Sequence, residues 1–124
     1  MHTNAEDNSI VEVETPMLNF TATLTEALSL MRAVSERTIF VVRENAVLIG
    51  VISEGDLIRA FENNQLLHTG VLDIMNSAPI FSTNFLTREE IIDIFTRTGA
   101  LLIPIVNDKG ELQASQSVRR ALRN

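Results

Sequence analysis

The sequence predicts an α/β protein built from two similar halves, each ordered strand, helix, strand, strand, helix. Three observations predict it. Two stretches, one opening at Thr23 and one at Thr87, follow the same pattern of caps, apolar spacing and turns. Each passes from helical spacing to a short apolar run of strand type. Each is preceded by a proline-led segment, Pro16-Met17-Leu18-Asn19-Phe20 and Pro79-Ile80-Phe81-Ser82-Thr83, so that equivalent positions lie 63 or 64 residues apart.

The elements follow in order. Pro16 and Pro79 mark places where a helix cannot continue, because proline lacks the amide and restricts the residue before it. Thr23 and Thr87 each have a glutamate three residues on, Glu26 and Glu90. That is a capping box, in which the hydroxyl takes one orphan amide and the carboxylate reaches back to another. Leu24, Ala27, Leu28 and Met31 then share one helix face, as do Ile91, Ile94 and Phe95. The runs Thr38–Val42 and Leu101–Val106 read as buried strands. The polar turns Arg43-Glu44-Asn45 and Asn107-Asp108-Lys109-Gly110 follow, the second with a strong hairpin signal. In the first half a second strand runs through Ile49-Gly50-Val51-Ile52, breaks at Ser53-Glu54-Gly55-Asp56, and resumes with amphipathic helical spacing. The polar stretch Asn63–Gly70 separates the halves. The expected organisation is a flexible tail over 1–10, a first repeat over 11–65 and a second over 66–124. A half of about 60 residues has little core alone, so the two are expected to pack face to face around a pseudo-twofold axis.

Composition removes several classes of function. The 124 residues are 45% hydrophobic, and six Phe supply all the aromatic bulk, with no Trp or Tyr. Cysteine is absent, which excludes disulfides and thiolate metal sites and fits the cytoplasm. The net charge of −6 argues against nucleic acid. Arg119, Arg120 and Arg123 read as cations at the end of a last helix. No apolar run approaches the about 18 residues of a membrane span, and the polar, acidic start MHTNAEDNS is no signal peptide. His2 and His68 are isolated, so no metal site is expected. No nucleophile is placed with its base and no glycine-rich phosphate loop occurs, so the chain alone is expected to have no enzyme activity and no catalytic residue.

The paired pattern resembles a tandem pair of CBS domains, the module named after cystathionine beta-synthase. The resemblance rests on Ile49-Gly50-Val51-Ile52-Ser53-Glu54-Gly55-Asp56, on Asp73-Ile74-Met75 followed by Pro79, and on Leu102-Ile103-Pro104-Ile105-Val106-Asn107-Asp108-Lys109-Gly110-Glu111-Leu112. It covers about residues 11 to 124. It implies a regulatory module that binds an adenosine-containing ligand in a cleft between the repeats: AMP, ADP or ATP ahead of S-adenosylmethionine. It also implies association in twos and a separate or fused effector. The alternatives are a ligand-free dimerisation module and a regulatory fragment of a larger enzyme, such as a sugar-phosphate isomerase or a nucleotidyltransferase.

Two readings of Ser53-x-x-Asp56 stand side by side. As a cap, Ser53 closes the helix start with Asp56 at the third helical position, a device that contributes about 1 kcal/mol without any ligand. As a ligand site, the Ser53 hydroxyl and the first helix amides suit a phosphate. Gly55 lets the backbone approach, Asp56 accepts from ribose hydroxyls, and Arg59 reaches phosphate. Val51, Ile52 and Ile80 are candidate walls for adenine, and the resemblance adds the lead-in Pro79-Ile80-Phe81. In the second half Ser117 matches Ser53, but Ala114 stands for Gly50, Ser115 and Gln116 for Val51 and Ile52, and Arg120 for Asp56. One competent site per chain is expected. The apolar residues Leu57, Ile58, Phe61, Val118, Ala121 and Leu122 suggest a homodimer.

Overall fold

A computed structural model describes residues 12–123. The tail expected at 1–10, with His2, lies outside the described residues. The chain divides into two compact units, Pro16–Pro79 and a second that joins the residues before Pro16 to those from Ile80 onward.

The first unit has a three-stranded sheet in the order β2-β3-β4: β2 Met17–Asn19, β3 Thr38–Arg43 and β4 Val47–Ser53. β2 and β3 are parallel, and helix α1, Leu24–Met31, supplies the crossover that parallel pairing needs. β3 and β4 are antiparallel, joined by a tight turn in which Asn45 and Ala46 take positive φ. Helix α2, Glu54–Glu62, leaves β4 directly. Leu24, Ala27 and Met31 of α1 pack with Ile39, Val41, Ile52, Leu57 and Val71 to form the core. The segment after α2 closes onto the start of α1: the Leu24 amide donates to the Thr69 carbonyl at 2.8 Å and the Thr25 amide to Leu67 at 3.1 Å.

The second unit repeats the plan with its sheet in the order β1-β6-β5: β1 Glu12–Val13, β5 Leu102–Val106 and β6 Leu112–Ser117. Helices α3, Arg88–Thr98, and α4, Val118–Arg123, complete it. Ile91, Ile103, Val118 and Ala121 form its core. Gly99 ends α3 in the left-handed region at φ 78°, a conformation glycine adopts at little steric cost.

The repeat is visible in the register. Thr38 pairs with Ser53 and Leu102 with Ser117, 64 residues on in both cases. The bulge between Val41 and Val42 recurs between Ile105 and Val106. Leu18 pairs in parallel with Val41, and Ser82 with Ile105. This last pairing is reduced to a single bridge in the second unit, and the cause is chemical. The Phe40 amide donates to the Pro16 carbonyl at 3.0 Å, whereas Pro104 at the matching position has no amide to donate.

Candidate functional site

Ser53 ends β4 with extended backbone and is the cap of α2. Its amide donates to Asp56 Oδ2 at 2.7 Å and its hydroxyl to the same oxygen at 3.0 Å. The Asp56 amide returns a bond to Ser53 Oγ at 3.2 Å. Arg59, one turn on, ion-pairs with Asp56 Oδ1. The Asp56 side chain is 13% exposed and that of Arg59 64%. The carboxylate thus sits in the first helical turn, where the helix dipole favours it, with donors on both oxygens.

A second ion pair flanks the same helix start. Arg37, at φ 54°, donates to Glu54 at 2.5 Å and to the Met31 carbonyl at 2.9 Å. The Glu54 amide donates to the Arg37 carbonyl at 3.3 Å. The hydrogen bond to Glu54 holds the Arg37 guanidinium above its usual range, and Arg37 holds the Glu54 carboxyl below the usual carboxylate range. Arg37 was not among the residues expected at the site. Its only sequence signal is a cation immediately before a buried strand, which is a weak one.

Beside Asp56 and Arg59 lies a small polar cavity of about 160 Å³, lined also by Ala60, Asn63, Gln65, Asp73 and Ile74. Asp73 was noted only as part of a motif, and folding brings it to the wall that Asp56 and Arg59 share.

The remaining expected residues are placed as follows. Gly55 is half-buried in the first turn of α2, where an added Cβ meets only ordinary contacts with Arg59 and Ser53. Val51 is half-buried and Ile52 fully buried. Ile52 belongs to the core of its unit. Pro79 is half-buried at the end of the first unit. Ile80 and Phe81 are exposed residues of the second unit.

At the matching place in the second unit, the polar strand end is buried. Ser115, Gln116 and Ser117 are all at 0% exposure. Gln116 accepts from the Leu86 amide at 2.9 Å and donates to the Leu86 carbonyl at 3.1 Å, and Ser115 shares a hydroxyl bond with Thr15 at 2.9 Å. The Arg120 amide donates to Ser117 Oγ at 3.1 Å, so the serine cap persists without a carboxylate at the Asp56 position. Among the described residues no group of His, Asp or Glu is arranged to hold a metal ion, and no helix is long and apolar enough to cross a membrane.

Residues 10–63 match the family model of the CBS domain. No curated protein matches the sequence. Solved structures share the fold over nearly the whole chain. The CBS domain protein PAE2072 from Pyrobaculum aerophilum, complexed with AMP, aligns with a TM-score of 0.79 at 22% identity, over 92% of this chain and 88% of that one. CBSX2 in complex with AMP aligns with a TM-score of 0.79 at 18% identity, over 94% of this chain and 93% of that one. The cytosolic domain of the Mg2+ channel MgtE in complex with ATP aligns with a TM-score of 0.75 at 23% identity, over 98% of this chain and 52% of that one. Residues 10–63 thus resemble a CBS domain, and the chain as a whole shares the fold of these solved CBS-domain structures.

Proposed function

We propose that this chain is a regulatory module that binds an adenosine-containing nucleotide at the start of α2, with AMP, ADP or ATP ahead of S-adenosylmethionine. The observation that carries the reading is the convergence of Ser53, Asp56 and Arg59 at one helix N-terminus. Asp56 accepts from the ribose hydroxyls, since an ionised carboxylate only accepts. The Ser53 hydroxyl and the Gly55 amide donate to phosphate, in the field of the helix dipole. Arg59 supplies the opposite charge, and Val51 offers apolar surface. Three structures of the same fold hold AMP or ATP, which supports the choice of ligand class. In this reading the chain has no catalysis of its own and reports to an effector, fused or separate.

The test is a melting-temperature series with AMP, ADP, ATP and S-adenosylmethionine, followed by calorimetry on any ligand that shifts the transition. A ligand at 100 times its Kd adds about 2.7 kcal/mol of stability. A shift with an adenine nucleotide supports the reading, and no shift with any of the four removes it.

A second reading, an interaction module without ligand, draws on a different observation. Ile58, Phe61, Leu66, Leu67 and Leu72 of the first unit are all exposed. Association of two chains through such residues is compatible with either reading.

A further inference from the structure

We infer that the first turn of α3 is a docking seat for an extended, cationic peptide segment of a partner protein. The inference is independent of the nucleotide reading and comes from setting one repeat beside the other. In the first unit the segment Leu67–Val71 runs along the start of α1. The Thr69 and Leu67 carbonyls accept from the Leu24 and Thr25 amides, and the Val71 amide donates to the Ala22 carbonyl at 2.9 Å. The Leu67 carbonyl also accepts from the Thr25 hydroxyl at 3.1 Å. A chain segment thereby serves two of the amides that a helix start leaves without intrahelical partners.

The caps Thr23 and Thr87 lie 64 residues apart, so Ala22, Leu24 and Thr25 correspond to Leu86, Arg88 and Glu89. The Leu86 carbonyl is met by the Gln116 side chain rather than by a chain amide. The Arg88 and Glu89 amides have no counterpart of Thr69 and Leu67 among the described residues, and the buried Arg88 Nε also lacks an acceptor there. Along the same turn runs a groove of about 400 Å³, lined by Leu86, Glu89, Glu90, Asp93, Ile94 and Arg97. Its side chains set the chemistry of the occupant. Leu86 and Ile94 are half-buried and apolar. Glu89 stands where Thr25 donates a hydroxyl bond, and an ionised carboxylate only accepts. Glu90 holds the Thr87 amide and Asp93 pairs with Arg97, so three acids against one arginine leave the rim negative. The amides take carbonyls and the rim takes cations, and an extended backbone bearing Lys or Arg supplies both. Residues 1–11 of this chain carry Glu6 and Asp7 and no Lys or Arg, the wrong charge for that rim, which assigns the seat to a partner.

The experiment is an NMR titration of the isotope-labelled full chain with a capped heptapeptide. The peptide copies Gln65–Val71 with lysine at the positions of Gln65, Leu66 and His68, and its control carries glutamate there. The lysine peptide should shift the Arg88 and Glu89 amide signals saturably, and the glutamate peptide should bind about fivefold or more weakly. Arg88→Pro removes one amide donor at the first helical position, where proline is well accepted. It should bind the lysine peptide about 2- to 10-fold more weakly than Arg88→Ala, which loses the same side chain and keeps the amide. Equal affinity of those two variants overturns the inference. So does the absence of a saturable shift at Arg88 and Glu89, or equal binding of the two peptides, and neither of these readouts depends on a variant that folds. Hydrogen exchange in the peptide-free full chain as slow at Arg88 and Glu89 as at Leu24 and Thr25 also overturns it, because this chain or a second copy would then cover the seat.

Discussion

Arg37 and Glu54, 17 residues apart in sequence, meet at 2.5 Å where β3 begins and α2 begins. Arg37 depresses the Glu54 pKa in the folded state. A carboxyl with a lowered folded pKa contributes stability that is present above its unfolded pKa. That contribution fades as pH falls through the folded value. Both side chains are well exposed to solvent, so the effect is small. Urea midpoints at pH 6 and pH 3 should therefore differ more for wild type than for Glu54→Gln, and an identical pH dependence contradicts the assignment.

Gly50 is fixed by close packing. A Cβ there would lie 2.3 Å from Met75 Sδ and 3.1 Å from the Asn76 carbonyl. Met75 is flexible and can move aside, but the Asn76 carbonyl is held by the Val51 amide at 3.0 Å. Gly50→Ala should cost about 1–3 kcal/mol in a denaturation curve. The reverse change at the matching position, Ala114→Gly, removes a buried methyl and should also destabilise, by creating a cavity rather than a clash. A neutral Gly50→Ala would show that the segment at Met75 adapts freely.

Gln116 occupies the place that Ile52 holds in the first repeat, fully buried, with both halves of its amide bonded to the Leu86 backbone. Gln116→Leu keeps the volume and orphans two backbone groups, at about 1–3 kcal/mol for each that water cannot reach. Chemical denaturation should show a loss larger than that of a typical surface change. Stability equal to wild type would mean that water satisfies Leu86.

These residues show what the sequence carries and what it does not. The caps at Thr23, Ser53 and Thr87 were legible because each bond lies within three residues of its partner. Strands β3 and β5 were legible because apolar runs between turns have few other uses. The pairing of Glu12 with Gln116 was not, since nothing local joins segments about a hundred residues apart. The polar end of β6 looked like a lost site, because Ser115 and Gln116 reveal their partners Thr15 and Leu86 only after folding. Val51 and Ile52 both read as walls for a ligand because an adenine ring needs apolar surface, although adjacent strand residues point to opposite faces. Which side of the strand faced the core was decided by α1 and α2, and they cover Ile52.

Assembly can be tested at three of the six residues that suggested a dimer. Leu57, Val118 and Ala121 are buried within their own units. Ile58, Phe61 and Leu122 remain exposed, at 53%, 48% and 56%. Light scattering at micromolar concentration should give twice the chain mass, and Phe61→Glu should return it to the monomer. A monomeric wild type at high concentration contradicts the proposed dimer.

The central claim is that the Ser53–Asp56 cap doubles as a nucleotide site, and calorimetry of wild type and Asp56→Ala with AMP tests it most directly. Removing Asp56 takes away a charge-assisted contact to ribose and should weaken binding by about 1.5–3 kcal/mol. The ligand-free variant should lose only about 1 kcal/mol of stability through its weakened cap. Saturable heat for wild type with that separation between affinity and stability is the predicted result. No heat and no melting shift for wild type with AMP, ADP, ATP or S-adenosylmethionine, beside a loss of stability in Asp56→Ala, would leave the pair as a helix cap alone.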